Sequence, residues 1–270
     1  MSDKVLLIAL DIDGTLTTRR GIIHPDNAAA VRDAQRAGVI VSIASGRSPG
    51  NIFLMLREAG LVCPLITVNG AQCTDEALNT FALHPMAPGT AAAVSDLLFS
   101  RGVRFFMMGD GFVCTSDETM RHHSELQFGD RLTELGHRFF RGPAVLEKLA
   151  RTENILKFFV PETPGLDRIR SALKALPGID VTRSGPNNIE ILPHGVDKAV
   201  GIRDMAGKYG IPAENVMAVG DEENDIPMLD AAGWPVAMGN AAEEVKRHAR
   251  FVTLTNDEAG VAAAIRRLVL

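Results

Sequence analysis

The chain has 270 residues, enough for one large domain or two, with 46 % hydrophobic and 23 % charged residues, the balance of a globular protein. The formal net charge of -5 argues against nucleic acid as the main partner, and no apolar stretch approaches the ~18–20 residues of a membrane span. The N-terminal apolar run is too short for a signal peptide, and Cys63, Cys73 and Cys114 form no CxxC pair, so a cytoplasmic protein with reduced thiols is expected.

Val5–Leu10 is apolar without alternation, as in a strand buried on both faces of a parallel sheet. Asp11-Ile12-Asp13-Gly14-Thr15 follows at once. Pro25 to Ala37 reads as a helix, with Pro near its first turn and Gly38 past its end. Val39–Ala44 is a second buried strand, Asn51 to Ala59 a helix and Leu65–Val68 a third strand before the Asn69-Gly70 turn. This βαβαβ rhythm predicts an α/β fold with a doubly wound, Rossmann-like parallel sheet.

The texture changes near Pro85. Thr90 to Ser100 reads as a helix, Val103–Met108 and Phe112–Thr115 as a hairpin about Gly109-Asp110-Gly111, Ile155–Val160 as a strand, Leu166 to Leu176 as a helix, and Ile179–Arg183 and Ile189–Leu192 as strands. We expect an inserted α+β domain over 86–189, with 1–85 and 190–270 forming one discontinuous core. The insert holds 13 of the 28 basic and 12 of the 33 acidic side chains, so it is near neutral while the core is acidic. From Gly195 the earlier rhythm returns: helices over Val196 to Tyr209, Ile226 to Ala232 and Glu258 to Leu268, and strands over Val216–Val219, Pro235–Met238 and Phe251–Thr253.

Ligands of open α/β sheets bind beyond the carboxyl ends of the strands, and four polar clusters fall there. Asp11 and Asp13 can hold Mg²⁺ and divide nucleophilic and acid–base work, though an isolated pair also suits a capped turn. Ser45-Gly46-Arg47 offers a hydroxyl, an approachable backbone N–H and a helix start, equally a small anion site or a plain cap. Lys198 in the first turn of a helix opposes the helix dipole, which makes an anionic partner sensible. Gly220-Asp221-Glu222-Glu223-Asn224-Asp225 supplies oxygen ligands suited to Mg²⁺, or merely complements a dipole. His122-His123 lacks metal-ligand spacing and reads as polar surface, and the phenylalanines of the insert read as its core. No GxGxxG or P-loop is present.

In order and spacing these four motifs resemble the haloacid dehalogenase superfamily of phosphatases, in its Cof-type group, subfamily IIB, whose cap is inserted between the second and third motifs. The resemblance spans essentially the whole chain and extends to Asn69-Gly70-Ala71 and Glu190. It implies that Asp11 is the nucleophile and Asp13 the general acid and base. It also implies Mg²⁺ on Asp11, Asp221 and the Asp13 carbonyl. The phosphoryl group would lie on Ser45, Lys198, Asn224 and the Ile12 and Gly46 N–H groups, with Arg47 and Asp225 behind them. Asp225 would orient Lys198 or a metal-bound water. Ser45 stands for the more usual Thr, Glu222 for Ser and Ala199 for Gly, and none of these removes a catalytic group. The expected activity is Mg²⁺-dependent hydrolysis of small phosphomonoesters such as sugar phosphates, by a monomer or homodimer. The insert would act as a lid, with its hairpin and the stretch from Arg183 to Asn188 touching the leaving group. A phosphomannomutase-like mutase and a non-catalytic metabolite-binding regulator are the alternatives.

Overall fold

The computed structural model describes residues 4–184 and 187–270. The chain divides into two compact units, one running to Ala82 and resuming over Asp197–Leu270, the other Leu83–Val196.

The first unit opens with β1 (Leu7–Leu10), α1 (Pro25–Arg36), β2 (Ile40–Ala44), α2 (Pro49–Glu58), β3 (Leu65–Thr67), β4 (Gln72–Thr74) and β5 (Thr80–Leu83). The second unit follows with α3 (Pro88–Ser100), β6 (Phe106–Gly109), β7 (Phe112–Thr115), α4 (His123–Glu134), β8 (Arg138–Arg141), α5 (Pro143–Thr152), β9 (Ile155–Val160), α6 (Leu166–Lys174), β10 (Ile179–Thr182) and β11 (Ile189–Pro193). The first unit then resumes with α7 (Lys198–Tyr209), β12 (Val216–Gly220), α8 (Ile226–Ala231), β13 (Trp234–Ala237), α9 (Glu243–Lys246), β14 (Phe251–Val252) and α10 (Gly260–Leu268).

The eight strands of the first unit lie in the order β14-β13-β12-β1-β2-β3-β4-β5. β1 is central, parallel to β12 on one side (Leu7 opposite Val216) and to β2 on the other (Leu7 opposite Ile40). All four of its residues are buried, which explains the unbroken apolar run. Leu7 and Ala9 pack with Ile202 and Met205 of α7 and Met228 and Leu229 of α8, while Ile8 and Leu10 point to the opposite face. Asp11, Ser45 and Asp221 each stand at the carboxyl end of one of three adjacent parallel strands, and the topology thereby gathers motifs scattered over more than 200 residues. The sheet is not wholly parallel: β4 turns back antiparallel to β3 through the tight Val68–Gly70 turn, in which Asn69 has φ 55°.

In the second unit, six strands run β10-β11-β9-β6-β7-β8, antiparallel except for the β7–β8 pair. Phe105, Phe112, Phe158, Leu98, Leu146 and Leu173 belong to one buried core that joins sheet and helices. This corrects the expected boundaries of 85/86 and 189/190. β11 pairs with β9 and β10 rather than with the parallel sheet, so 190–196 belongs to the second unit. His122 is also corrected, being 6 % exposed with its ring edge-on to Phe106 at 5.1 Å rather than lying on the surface. The three thiols are free and buried, and burial pushes each up to about 12, which leaves them unreactive. No helix among the described residues is long and apolar enough to cross a membrane.

Candidate active site

Asp11 leaves β1 with its N–H donated to the Val219 carbonyl (3.0 Å), so its position is set by the neighbouring strand β12. The chain then turns tightly over Ile12–Leu16, with Gly14 at φ 85°. A Cβ on Gly14 would sit 2.2 Å from Oδ2 of Asp221. The glycine of the first motif is therefore required twice, by the left-handed backbone and by the approach of the fourth motif's carboxylate.

Lys198 is 1 % exposed and lies between two carboxylates: its Nζ donates to Asp11 Oδ1 (2.6 Å) and Asp225 Oδ1 (2.5 Å). It begins α7, capped by Asp197, whose carboxylate accepts from the Ala199 and Val200 N–H groups (2.9 and 3.1 Å). The adverse helix position of the lysine is thus answered by carboxylates and a cap. Burial alone would lower the Lys198 pKa, but Asp11 and Asp225 outweigh it and raise it.

Asp225 accepts three hydrogen bonds. Its Oδ2 accepts the N–H groups of Asp221 (2.9 Å) and Glu222 (3.0 Å), while Oδ1 takes Lys198. Asp221 accepts from Thr15 Oγ1 on Oδ1 (2.7 Å) and from Asn240 Nδ2 on Oδ2 (3.2 Å). Ligand atoms of Asp11, Asp221 and Asp225 all lie within 4.8 Å of one another.

Three buried carboxylates thus crowd round one ammonium, which bonds Asp11 and Asp225, and the excess negative charge acts on Asp11 and Asp221. Burial, set against Lys198 and reinforced by Asp225 and Asp221, raises Asp11 well above the carboxylate range. Burial, with Asp225 and Glu222, pushes Asp221 up to about 7 against the Thr15 hydrogen bond and Lys198. A divalent cation fits this charge, and an all-oxygen donor set suits a hard ion. Asp11 and Asp221 retain more acceptor capacity for it than Asp225, which already takes three hydrogen bonds.

On the other side of the site, Arg47 clasps Asp13 through Nε–Oδ2 (2.9 Å) and Nη2–Oδ1 (2.8 Å) and is itself anchored on Asn51 Oδ1 (3.0 Å). Burial weakens the guanidinium charge, but the Asp13 pair and nearby Asp11 raise its pKa on balance. The buried Ser45 hydroxyl accepts the Arg47 N–H (3.3 Å) and its carbonyl takes the Asn69 N–H (3.0 Å). Ile12 is buried in the turn, whereas Gly46 and Asn224 are half-buried. Asn224 sits on the short turn Glu223–Asp225 apart from the hydrogen-bonded cluster.

All ten expected residues lie in the first unit. Of the expected leaving-group residues in the second, Ser184 donates its N–H to Asn188 Oδ1 (3.1 Å), while Gly185 and Pro186 lie outside the described residues. Sequence reasoning missed Asn240, Thr15 as a partner of Asp221, and Asn51. The available signal for Asn240 was its place after the strand Pro235–Met238, a further strand end.

The chain is similar to known proteins over almost its whole length. The family model for haloacid dehalogenase-like hydrolases matches residues 8–265. Two *Bacillus subtilis* proteins, both named 5-amino-6-(5-phospho-D-ribitylamino)uracil phosphatase, are similar over almost their whole lengths. YcsE is 32 % identical over 268 residues, covering 98 % of this chain and 96 % of its own. YwtE is 30 % identical over 280 residues, covering 97 % of each. The solved structure of a subclass IIB sugar phosphatase superposes with a TM-score of 0.80 at 25 % identity, covering 97 % of this chain and 98 % of that one.

Proposed function

Because the chain belongs to the haloacid dehalogenase-like hydrolases and is a subfamily IIB phosphatase of small phosphate-bearing molecules, we propose that it hydrolyses sugar phosphates and related phosphomonoesters with Mg²⁺ through an aspartyl-phosphate. The observation that carries this reading is the state of Asp11. Its Oδ1 is pinned by Lys198 at 2.6 Å, which leaves Oδ2 as the reactive oxygen at the end of β1.

In the proposed first step, Asp11 Oδ2 bonds to phosphorus as the phosphorus–alkoxide bond breaks, and the leaving oxygen takes a proton from Asp13. In the second, water adds to the same phosphorus and gives Asp13 a proton, the bond to Asp11 breaks, and inorganic phosphate leaves. The carboxyl of Asp13 faces Arg47 in this structure, so acid catalysis calls for its rotation from that pair towards the leaving group. Ser45, Asn224, Lys198 and the Ile12 and Gly46 N–H groups would hold the phosphoryl oxygens. Asp11, Asp221 and the Asp13 carbonyl would hold Mg²⁺, which supplies charge neutralisation between a carboxylate nucleophile and a phosphate dianion. These groups recognise only the phosphoryl moiety, so choice of the leaving group falls to the inserted unit, in keeping with a lid. The names of the relatives, a phosphorylated ribityl compound and sugar phosphates, support that substrate class.

The mutase alternative calls for an arginine-rich second phosphate site. Arg104 and Arg121 do line a cavity of about 400 Å³ in the second unit, but Glu162 shares it. Arg104 already contacts Thr119 and Asp117, and Arg121 the Glu118 and Met120 carbonyls. That arrangement does not favour a phosphate. The test is phosphate release from a broad panel of phosphomonoesters, with Mg²⁺ and with chelator, beside Asp11→Asn. Metal-dependent release lost in the variant is expected; release that survives in chelator or in the variant overturns the mechanism.

A further inference from the structure

Asp221 is the carboxylate that both the charge of the site and the family reading assign to the metal, and its two oxygens are held from the two strands that flank β12. Oδ1 accepts from Thr15 at 2.7 Å, on the turn after β1. Oδ2 accepts from Asn240 at 3.2 Å, on the loop after β13. The same Asn240 amide donates to the Gly14 carbonyl (2.9 Å), and its Oδ1 takes the Asn256 N–H (2.9 Å), so the donor is itself anchored at two further points. Gly14 also approaches this oxygen closely, since a Cβ added there would lie 2.2 Å from Oδ2. The carboxylate plane is therefore fixed, and each oxygen has spent one acceptor direction.

We propose that Asn240 and Thr15 are positioning residues that restrict Asp221 to monodentate coordination and so select Mg²⁺ over Ca²⁺ at this site. Ca²⁺ takes six to eight oxygens in flexible geometry and readily uses a carboxylate bidentately; Mg²⁺ demands a near-octahedral set and takes one oxygen per carboxylate. Bidentate binding would need both Asp221 oxygens brought level with one ion, and the Thr15 and Asn240 hydrogen bonds oppose the rotation that such an adjustment calls for. The held carboxylate penalises Ca²⁺ and leaves Mg²⁺ unaffected. Outer hydrogen bonds of this kind typically alter metal affinity by about 10- to 100-fold. The inference rests on the divalent-metal reading of the site and adds to it the origin of its selectivity.

The test measures metal binding without turnover: Mn²⁺ is bound to the substrate-free protein and followed by electron paramagnetic resonance, then displaced by Mg²⁺ or Ca²⁺. The readout is the ratio of the two displacement constants in wild type, Asn240→Ala and Thr15→Val. A general loosening of the site weakens both ions and leaves the ratio in place. We expect the ratio to move about tenfold towards Ca²⁺ in each variant, and either variant suffices if the other fails to fold. An unchanged ratio in a folded variant that still binds Mn²⁺ overturns this inference alone. Failure of the wild-type protein to bind Mn²⁺ overturns the metal reading beneath it as well.

Discussion

Replacing Lys198 by Met keeps most of the side-chain volume and removes the one ammonium that two buried carboxylates share. Lys198 and Asp225 are each 1 % exposed, and Asp11 is 6 % exposed, so water cannot take over the lost charge. Breaking a buried ion pair by removing one partner costs about 3–5 kcal/mol. In a unit of this size that amounts to a fall in Tm of about 6–20 °C. The loss must also depend on pH. Without the ammonium, the already raised pKa of Asp11 moves further above its unfolded value, so the folded state binds more protons than the unfolded chain. Stability then declines as pH rises from about 4 through the folded pKa, and the variant loses more against wild type at pH 8 than at pH 5. Urea unfolding in chelator at both pH values measures this. A Tm within about 2 °C of wild type, or a loss equal at the two pH values, would mean that packing rather than charge holds the cluster, and would refute the reasoning.

Asp11→Asn should lower kcat by about 10³-fold or more while the urea midpoint is kept or raised, since one of three crowded acids is neutralised; a large drop in midpoint would show that Asp11 is chiefly structural. Gly14→Ala should cost about 1–3 kcal/mol for the positive φ and raise the Mg²⁺ concentration needed for half-maximal activity, because the new methyl meets Asp221; unchanged Mg²⁺ activation would remove the packing argument. His137 is 7 % exposed beside the Phe139 ring, and burial, helped by Arg138, pushes its pKa down to about 4 from 6.5. The unfolded chain takes up that proton first, so stability present above pH 6.5 should decline as pH falls through that window, by about 2–3 kcal/mol at pH 4.5. His137→Phe should flatten this acid limb of the urea midpoint, and an equal slope in the variant would discard the assignment.

Much of the site could be read from the chain because its determinants are local. The apolar Leu7–Leu10 run is buried on both faces, so its composition announces a central strand, and the acids after it fall where ligands bind. The elements that escaped are those whose burial is partial or whose partners are distant. β8 reads Arg-Phe-Phe-Arg and is a half-buried edge strand, and in the polar α4 Phe128 and Leu132 are buried while Leu126 is 74 % exposed. The expected 189/190 boundary cut through β11, a strand read with the insert that lies shortly before the Lys198 motif. Its registers with Phe158–Val160 and with Ile179–Thr182 assign it to the other sheet. Asn240 carries no charge or motif, and its role exists only once β13 is set beside β12.

The acidic run Gly220–Asp225 shows why composition alone could not divide its labour. As a sequence it offers four carboxylates of equal standing; in the fold they are unequal. Glu222 and Glu223 are exposed. Asp225 folds back so closely that a Cβ on Gly220 would lie 2.6 Å from its carboxyl group. That contact explains the glycine and fixes Asp225 over the two N–H groups behind it. Asp225 then draws Lys198 from one side at 2.5 Å while Asp11 draws it from the other at 2.6 Å. An ammonium held by one carboxylate could follow it; one held between two is fixed in space and constrains both. Under the proposed mechanism the consequence is chemical: Lys198 on Oδ1 of Asp11 would leave Oδ2 as the oxygen for attack. Gly220→Ala should therefore act on turnover from a residue that touches no substrate, by displacing Asp225 and releasing Lys198. It should lower kcat more than it lowers the midpoint of unfolding, and a variant with wild-type kcat would show that the lysine needs only one of its two partners.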